Sequence, residues 1–228
     1  MSNPFSGSQV VANVFALFSG TALARALTAI TLIVIARQLG PDAYGQYSAS
    51  IALVGIATVL FSLGLDGWLL YRGGRDPEYL DVGLTSALFL KTVLGIVWLL
   101  GVLAIAPHLN QASFPWILIV LGAFSLWLEE SAKITWTAFK ACLRNDLTLI
   151  LMIISQGLFL GFTLWLASRY VQEPAAYMGG RLLAAALGCA ISSVLVARKI
   201  GLRLRLETLV PTLRGTLPFA ASIAFAMI

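Results

Sequence analysis

Long apolar runs separated by short polar connections dominate the pattern of this chain. Six runs are each long enough to cross a bilayer as an α-helix, which takes roughly 20 mostly apolar residues. They cover about residues 12–36, 46–70, 83–106, 115–138, 147–168 and 177–197. A seventh run opens near residue 215 and reaches only Ile228. The pattern therefore predicts an all-α polytopic membrane protein, and we expect a fragment of a longer chain that is truncated within helix 7.

The connections between the runs carry the chemistry of helix ends. Gly40 follows the first run and Pro41 opens the next, and these residues are the usual signals for stopping and starting a helix. The segment after the sixth run is basic and could form an amphipathic surface helix, although Pro211 limits its length. We expect a transmembrane lobe over 1–197, a basic cytoplasmic linker over 198–214 and the start of helix 7 over 215–228.

Composition and charge support a membrane protein with a defined orientation. Hydrophobic residues make up 59% of the chain and charged residues only 11%, whereas a soluble domain is about 25% charged. The connections on one side carry nine basic residues and those on the other side carry Arg37 and Arg169. The nine are Arg72, Arg75, Lys140, Arg144, Arg198, Lys199, Arg203, Arg205 and Arg214. Because basic connections stay in the cytoplasm, we expect a cytoplasmic N-terminus.

The sequence offers little support for an enzyme. It has no Gly-rich loop followed by Lys of the kind that cradles ATP phosphates. The single histidine, His108, lies in a connection beside Pro107, and Cys142 and Cys189 have no metal-ligand neighbourhood. We therefore expect no catalytic residues, no metal, no cofactor and no nucleic-acid partner.

Seven ionisable residues fall inside the predicted spans. The cations are Arg25, Lys91, Lys133 and Arg181, and the acids are Asp66, Glu129 and Glu130. Each costs roughly 2.5–3.5 kcal/mol on insertion scales, so such groups normally face a bundle interior or a wet cavity. Because cations outnumber acids, a cavity lined by them attracts anions, and arginine suits phosphate through its planar fork. An exporter of cationic compounds is expected to have the reverse balance.

Arg25 is the most informative of these charges. Thr21, Arg25 and Thr28 share one face of the first helix, which is typical of a water-exposed stripe. Small residues around it, such as Ala22 and Ala26, let another helix approach closely. Two interpretations stay open: pairing with a carboxylate on a neighbouring helix, or binding of substrate.

The remaining charges have simpler interpretations beside the functional ones. Glu129 and Lys133 have the i, i+4 spacing of an ion pair on one helix, while Glu130 points about 100° away and could meet Arg25 or Lys91. Lys91 lies about 12 Å deep and could snorkel to the surface. We interpret Asp66, near the end of the second run, as a helix-packing or interface residue. We predict that Arg181, near the outer end of the sixth run, snorkels to the membrane surface.

The turn after the first run carries a family resemblance. Residues 36–47, with the sequence Ala-Arg-Gln-Leu-Gly-Pro-Asp-Ala-Tyr-Gly-Gln-Tyr, resemble the Ala-Arg-x-Leu-Gly-Pro-x-x-Tyr-Gly-x-Tyr segment of the polysaccharide biosynthesis (O-antigen flippase) family. Gly64-Leu65-Asp66 and Leu217-Pro218-Phe219 are similar to two further segments of that family. Gly67 stands where the family often has a basic residue.

This resemblance implies a fold and a function. The family belongs to the multidrug/oligosaccharidyl-lipid/polysaccharide (MOP) superfamily, so the chain is expected to form the N-terminal six-helix lobe of a MATE-like two-lobe transporter. The function implied is a flippase that moves polyprenyl-diphosphate-linked oligosaccharide across the bacterial inner membrane by alternating access. The oligosaccharide it moves is an O-antigen or exopolysaccharide repeat unit, used in lipopolysaccharide or exopolysaccharide synthesis. The partners implied are membrane lipids, a polysaccharide polymerase and glycosyltransferases.

The site residues follow from combining the resemblance with the charges. Arg25 matches the central arginine on helix 1 that contacts the diphosphate in related lipid flippases, and we expect Lys91 and Lys133 to assist it. Glu129, Glu130 and Asp66 are expected to balance charge or carry a coupling proton.

Two alternative functions remain at this stage. One is a cation-coupled multidrug exporter of the same superfamily, which should have an acid-dominated cavity. The other is a membrane scaffold for polysaccharide assembly that transports nothing. A cation-lined cavity between helices 1, 3 and 4 would speak against the scaffold, and a dry, paired interior would favour it.

Overall fold

The computed structural model describes the backbone at residues 7–62, 64–76, 80–200 and 209–225, and most of these residues are helical. Side chains are described within these ranges from residue 18 onward, except at 59–61, 210 and 220–225. The helices are α1 (Gly7–Ser62), α2 (Leu65–Arg75), α3 (Leu80–Ile105), α4 (Trp116–Ala141), α5 (Asn145–Ser168), α6 (Pro174–Lys199) and α7 (Leu209–Phe225). A 3₁₀ turn, Ala106–His108, follows α3.

The Gly40-Pro41 turn divides α1 into two predicted spans. Gly40 has φ 74° and ψ 176°, a conformation outside the helical region that glycine adopts without steric cost. Pro41 then begins the second half of α1 with its φ already suited to a helix. The stop-and-start prediction at this turn is therefore confirmed.

The second predicted span is shorter than expected because the helix breaks at Gly64. We expected one helix over 46–70, but α1 ends at Ser62 and Gly64 adopts a left-handed conformation with φ 67°. The short helix α2 then starts at Leu65 and continues to Arg75. Its buried residues, Leu65, Trp68, Leu69 and Gly73, lie on one face, so α2 packs as an amphipathic helix rather than as the end of a span.

Four of the described helices satisfy the length and hydropathy expected of membrane spans. They are Phe18–Thr58, which contains the Gly40 kink, Leu80–His108, Asn145–Ser168 and Pro174–Lys199. The first is 41 residues long, about twice the length of one span, so its two halves correspond to two predicted runs. The described residues thus support a multi-pass membrane protein.

Helix α4 is the central element of the lobe. Its residues contribute to three hydrophobic clusters, through Phe139 in the first, Leu118 in the second and Ala123 in the third. Close approach is possible where glycines meet large side chains, as at Gly95 of α3, which lies against the indole of Trp127. The helix that carries Glu129, Glu130 and Lys133 therefore touches most of the others.

Helix α7 begins earlier than the sequence indicated and packs against α2. It starts at Leu209 rather than near residue 215. Gly215 lies against Trp68, and the ring of Phe219 lies 5.9 Å from that of Tyr71. Residues 201–208 of the expected linker at 198–214 lie outside the described residues, so the three-part division stays a prediction.

Candidate functional site

Arg25 lies on an exposed face of α1, about 22 Å from the Gly40 kink at 1.5 Å per residue. Among the described residues it forms no ion pair and no side-chain hydrogen bond. Its neighbours Ala22, Ala26 and Ala29 are also exposed and small, so a large ligand or another helix can approach the guanidinium. The structure thus favours the exposed interpretation of Arg25 over pairing with a carboxylate in the described part of the chain.

The polar face around Arg25 continues across the contact with α5. The Thr28 hydroxyl lies 2.9 Å from Oε1 of Gln156 and 2.9 Å from the carbonyl of Ala24. Thr28 and Gln156 are both half-buried. The sequence analysis did not include Gln156 among the candidates. The available signal was an amide in the middle of an otherwise apolar run.

Lys91 is fully buried and belongs to a charged cluster between α2, α3 and α4. Its Nζ donates to Oδ2 of Asp66 at 3.3 Å and to Oε2 of Glu130 at 3.1 Å. The Lys91 side chain is 0% exposed, against 31% for Asp66 and 12% for Glu130. The predicted approach of Glu130 to Lys91 is confirmed, whereas snorkelling of Lys91 is wrong because both carboxylates hold its ammonium group inside.

Glu130, rather than Glu129, pairs with Lys133 on α4. The Lys133 ammonium group donates to Oε1 of Glu130, so the pair has i, i+3 spacing. The expected i, i+4 pair of Glu129 with Lys133 is therefore wrong. The prediction fails because Glu129 faces α6 and pairs with an arginine there. Glu130 is then the carboxylate that pairs with Lys133.

Arg181 of α6 is that arginine. Its Nε and Nη2 donate to the two carboxylate oxygens of Glu129 at 2.9 and 3.0 Å, the two-point geometry that makes arginine–carboxylate pairs strong. The guanidinium also lies 5.7 Å from the ring centre of Phe159 and close to the Tyr47 hydroxyl. The prediction of a snorkelling Arg181 is wrong, because α6 begins at Pro174 and places Arg181 about two turns inside the helix.

Tyr47 connects the family motif to this ion pair. It is the last residue of the Tyr-Gly-x-Tyr segment, is fully buried, and lies beside Tyr44 with ring centres 6.3 Å apart. Its hydroxyl is close enough to Arg181 to interact electrostatically, although it forms no hydrogen bond with any described residue. The sequence analysis used Tyr47 only as a family signal, and nothing in its spacing indicated α6 as its partner.

The internal charges of the described lobe thus form two paired groups and one separate residue. Lys91, Lys133 and Arg181 each have a carboxylate partner, and Arg25 does not. The cavity between α1, α3 and α4 has a volume of about 180 Å³ and is lined by apolar side chains such as Leu53, Val102 and Ile119. A larger groove of about 640 Å³ follows apolar residues of α5, including Gly157 and Gly161. Neither is lined by cations.

A metal site is not apparent in the part of the chain that the structure describes. No group of three or more His, Cys, Asp or Glu side chains lies within reach of one ion there. Among the described charges, Arg25 is available to bind an anion. The paired groups hold helices together.

Comparison with solved structures shows the fold. The chain matches an outward-facing multidrug resistance MATE family transporter of the MOP superfamily with a TM-score of 0.69 and 14% identity, over 94% of this chain and 52% of that one. It matches a MATE protein in complex with MaD3S with a TM-score of 0.65 and 14% identity, over 92% and 53%.

A third match is a MOP superfamily transporter from Pyrococcus furiosus, whose binding pocket of reversed polarity suggests a different function for that protein. Its TM-score is 0.61 and its identity 14%, over 92% of this chain and 52% of the other. The chain therefore spans about half the length of these transporters and has the fold of one MATE-like lobe. No curated protein matches it significantly.

The family of the chain is shown by its match to a family model, because 14% sequence identity to solved structures shows only the fold. The model described as polysaccharide biosynthesis protein matches residues 10–228, which is nearly the whole chain and includes the motif at the Gly40-Pro41 turn. The chain belongs to the polysaccharide biosynthesis protein family.

Proposed function

We propose that this chain is part of a flippase that moves a polyprenyl-diphosphate-linked oligosaccharide across a bacterial inner membrane by alternating access, with the N-terminus in the cytoplasm. Family membership supports a role in polysaccharide biosynthesis, and the MATE-like fold supports transport. The substrate would be the product of glycosyltransferases and would pass to a polymerase, which are the partners this proposal implies.

The observation that carries the proposal is that Arg25 is exposed and has no carboxylate partner among the described residues. An arginine in a span costs roughly 2.5–3.5 kcal/mol on insertion scales, and in the described lobe no carboxylate offsets that cost. A guanidinium with free donors matches a diphosphate, because it presents paired N–H groups to phosphate oxygens. Binding of an anionic head group therefore gives Arg25 a function that helix packing does not.

The other charged residues have supporting roles in this proposal. Lys133 is about half exposed and can reach a bound anion while it remains next to Glu130. Lys91 is enclosed by Asp66 and Glu130, so it assists only in a conformation in which one carboxylate has moved away. Asp66, Glu129 and Glu130 balance the internal cations or carry a coupling proton. Their pairing with Lys91 and Arg181 supports the balancing role.

The decisive experiment measures transport by the full-length protein in proteoliposomes. A fluorescent polyprenyl-diphosphate saccharide is placed in one leaflet, and its movement is followed for wild type, Arg25→Ala, Arg25→Lys and Arg37→Ala. Loss of a charged hydrogen bond predicts about 10- to 100-fold weaker binding of the lipid by Arg25→Ala, which lowers the flipping rate at subsaturating lipid, and a smaller loss for Arg25→Lys. Arg37, exposed near the Gly40 kink, is the matched control and should have little effect.

Undiminished flipping by Arg25→Ala would remove the central claim.

Two other functions have specific support and can be tested in the same preparation. Similarity in fold to MATE transporters favours a multidrug exporter, which predicts ion-dependent uptake of cationic dyes. The paired charges of α3, α4 and α6 meet the expectation for a scaffold, which predicts no movement of either substrate.

A further inference from the structure

Gln156 is a polar side chain whose hydrogen-bonding groups are only partly paired among the described residues. It lies near the middle of α5, about 17 Å from either end of the helix at 1.5 Å per residue. It is half-buried, and an amide that is removed from water without hydrogen bonds costs free energy. A glutamine at this depth therefore needs acceptors for its two N–H groups as well as a donor for its oxygen.

The contact with Thr28 cannot satisfy both N–H groups of Gln156. The Thr28 hydroxyl has one hydrogen, which it donates either to the Ala24 carbonyl or to the Gln156 oxygen, each 2.9 Å away. If it donates to Ala24, Gln156 can donate one N–H to the hydroxyl after its amide is turned over. In both arrangements at least one N–H of Gln156 has no acceptor among the described residues.

The contact between Thr28 and Gln156 lies within one helical turn of Arg25 along α1. Thr28 follows Arg25 by three residues, which separates the two by about 4.5 Å along α1 and about 60° around it. Because Thr28 contacts Gln156, the seam between α1 and α5 runs beside the face that carries Arg25. A ligand held by the guanidinium therefore reaches the amide of Gln156 within one helical turn.

We propose that Gln156 is a ligand-binding residue of the Arg25 site, where its N–H donates to a hydroxyl oxygen of the first sugar of the lipid-linked saccharide. This inference rests on the proposed flippase function. The division follows from chemistry: the guanidinium takes the charged diphosphate through charge-assisted hydrogen bonds, and the neutral amide pairs with a neutral oxygen next to it. Gln156 thus contributes to recognition of the sugar, and Arg25 to recognition of the diphosphate.

The test compares two ligands and several variants of the full-length protein. Binding of polyprenyl diphosphate and of polyprenyl diphosphate carrying one sugar is measured for wild type and Gln156→Met, which keeps the size of the side chain but removes its amide. Loss of one neutral hydrogen bond predicts about 2- to 10-fold weaker binding of the glycosylated lipid. Binding of the unglycosylated lipid should be unchanged.

Two further variants keep the test valid. Gln46→Met is the matched control, because Gln46 donates to the carbonyl of Ala112 in the connection between α3 and α4 and should change neither affinity. Gln156→Glu keeps an oxygen for Thr28 but has no N–H when ionised, so it should also lose affinity for the glycosylated lipid. It serves if Gln156→Met does not fold, as judged by thermal unfolding.

Two results would overturn the inference. One is unchanged affinity of Gln156→Met for the glycosylated lipid, and the other is an equal loss for both lipids. A purely structural Gln156 predicts that Gln156→Met and Thr28→Val lower thermal stability alike while the ratio of the two affinities stays constant. If Arg25→Ala weakens binding of both lipids and Gln156→Met does not discriminate between them, only the role of Gln156 fails. If Arg25→Ala weakens neither, the proposed function itself fails.

Discussion

Arg25 on α1 and Lys91 on α3 carry the same charge within predicted spans, but their surroundings differ completely. Lys91 is fully enclosed and bonded to two carboxylates on two other helical elements. Arg25 is exposed among alanines and has no described carboxylate beside it. A buried charge that is paired fixes its neighbours, since removing either partner leaves the other uncompensated. A charge that is left exposed fixes nothing and is free to bind a ligand.

The comparison also separates two parts of the lobe. The paired charges join α2 to α3, α3 to α4 and α4 to α6. They therefore help to specify how these helices pack around the central helix α4. The polar residues Arg25, Thr28 and Gln156 of α1 and α5 are instead exposed or half-buried, and none of them has an ionic partner among the described residues. If this division is correct, substitutions in the first region should act mainly on stability, and substitutions in the second mainly on binding.

The largest expected effect comes from Lys91→Met. It leaves Asp66 and Glu130 facing each other without their shared cation, and breaking such a buried pair costs about 3–5 kcal/mol. The measurement is unfolding by SDS in mixed micelles, with Arg25→Met as the control that removes an unpaired cation and should shift stability by less than about 0.5 kcal/mol. Asp66→Asn combined with Lys91→Met should recover part of the loss. Equal effects of Lys91→Met and Arg25→Met would break the comparison.

A smaller effect is expected at the Glu129–Arg181 pair. A double-mutant cycle with Glu129→Gln and Arg181→Met should give a coupling free energy of about 1–3 kcal/mol, because the contact is bidentate and mostly buried. The same cycle with Glu129→Gln and Lys133→Met is the control. It should give less coupling, since Lys133 pairs with Glu130. Stronger coupling of Glu129 to Lys133 would restore the local pair that the sequence indicated.

The smallest expected effect is a difference in the labelling of Cys142, which reports the orientation of the lobe in the membrane. Cys142 lies exposed between α4 and α5, and a membrane-impermeant maleimide should label it only from the cytoplasmic side in a Cys189→Ser background. Although the residue is exposed to solvent overall, partial desolvation raises the pKa of the Cys142 thiol, and Arg144 opposes the shift. The thiolate fraction at neutral pH is therefore lower than for an ordinary thiol, and labelling should keep accelerating at a pH where an ordinary thiol has levelled off. Labelling from the opposite side would reverse the proposed orientation.

Sequence reasoning succeeded where a single stretch of chain decides the outcome. Apolar run lengths predicted the long helices, and Gly40-Pro41 predicted the kink, because both depend on local backbone preferences. It failed at the end of the second span, where Gly64 could be read as a tolerated helix residue and adopts a left-handed conformation instead. It also missed Gln156, because one amide in an apolar run indicates neither its partner nor its exposure.

The sequence by itself determined that this protein is helical, crosses a membrane several times and carries more internal cations than acids. Only the tertiary structure decided which charges neutralise one another. Glu129 and Glu130 are adjacent in the chain but point about 100° apart on α4, so packing sent one to Arg181 of α6 and the other to Lys91 of α3. The physical reason is that ion pairing requires contact within about 4 Å, which helix packing sets and residue spacing alone does not. Arg25 stands out as a candidate for ligand binding because that packing gave it no partner in the described chain.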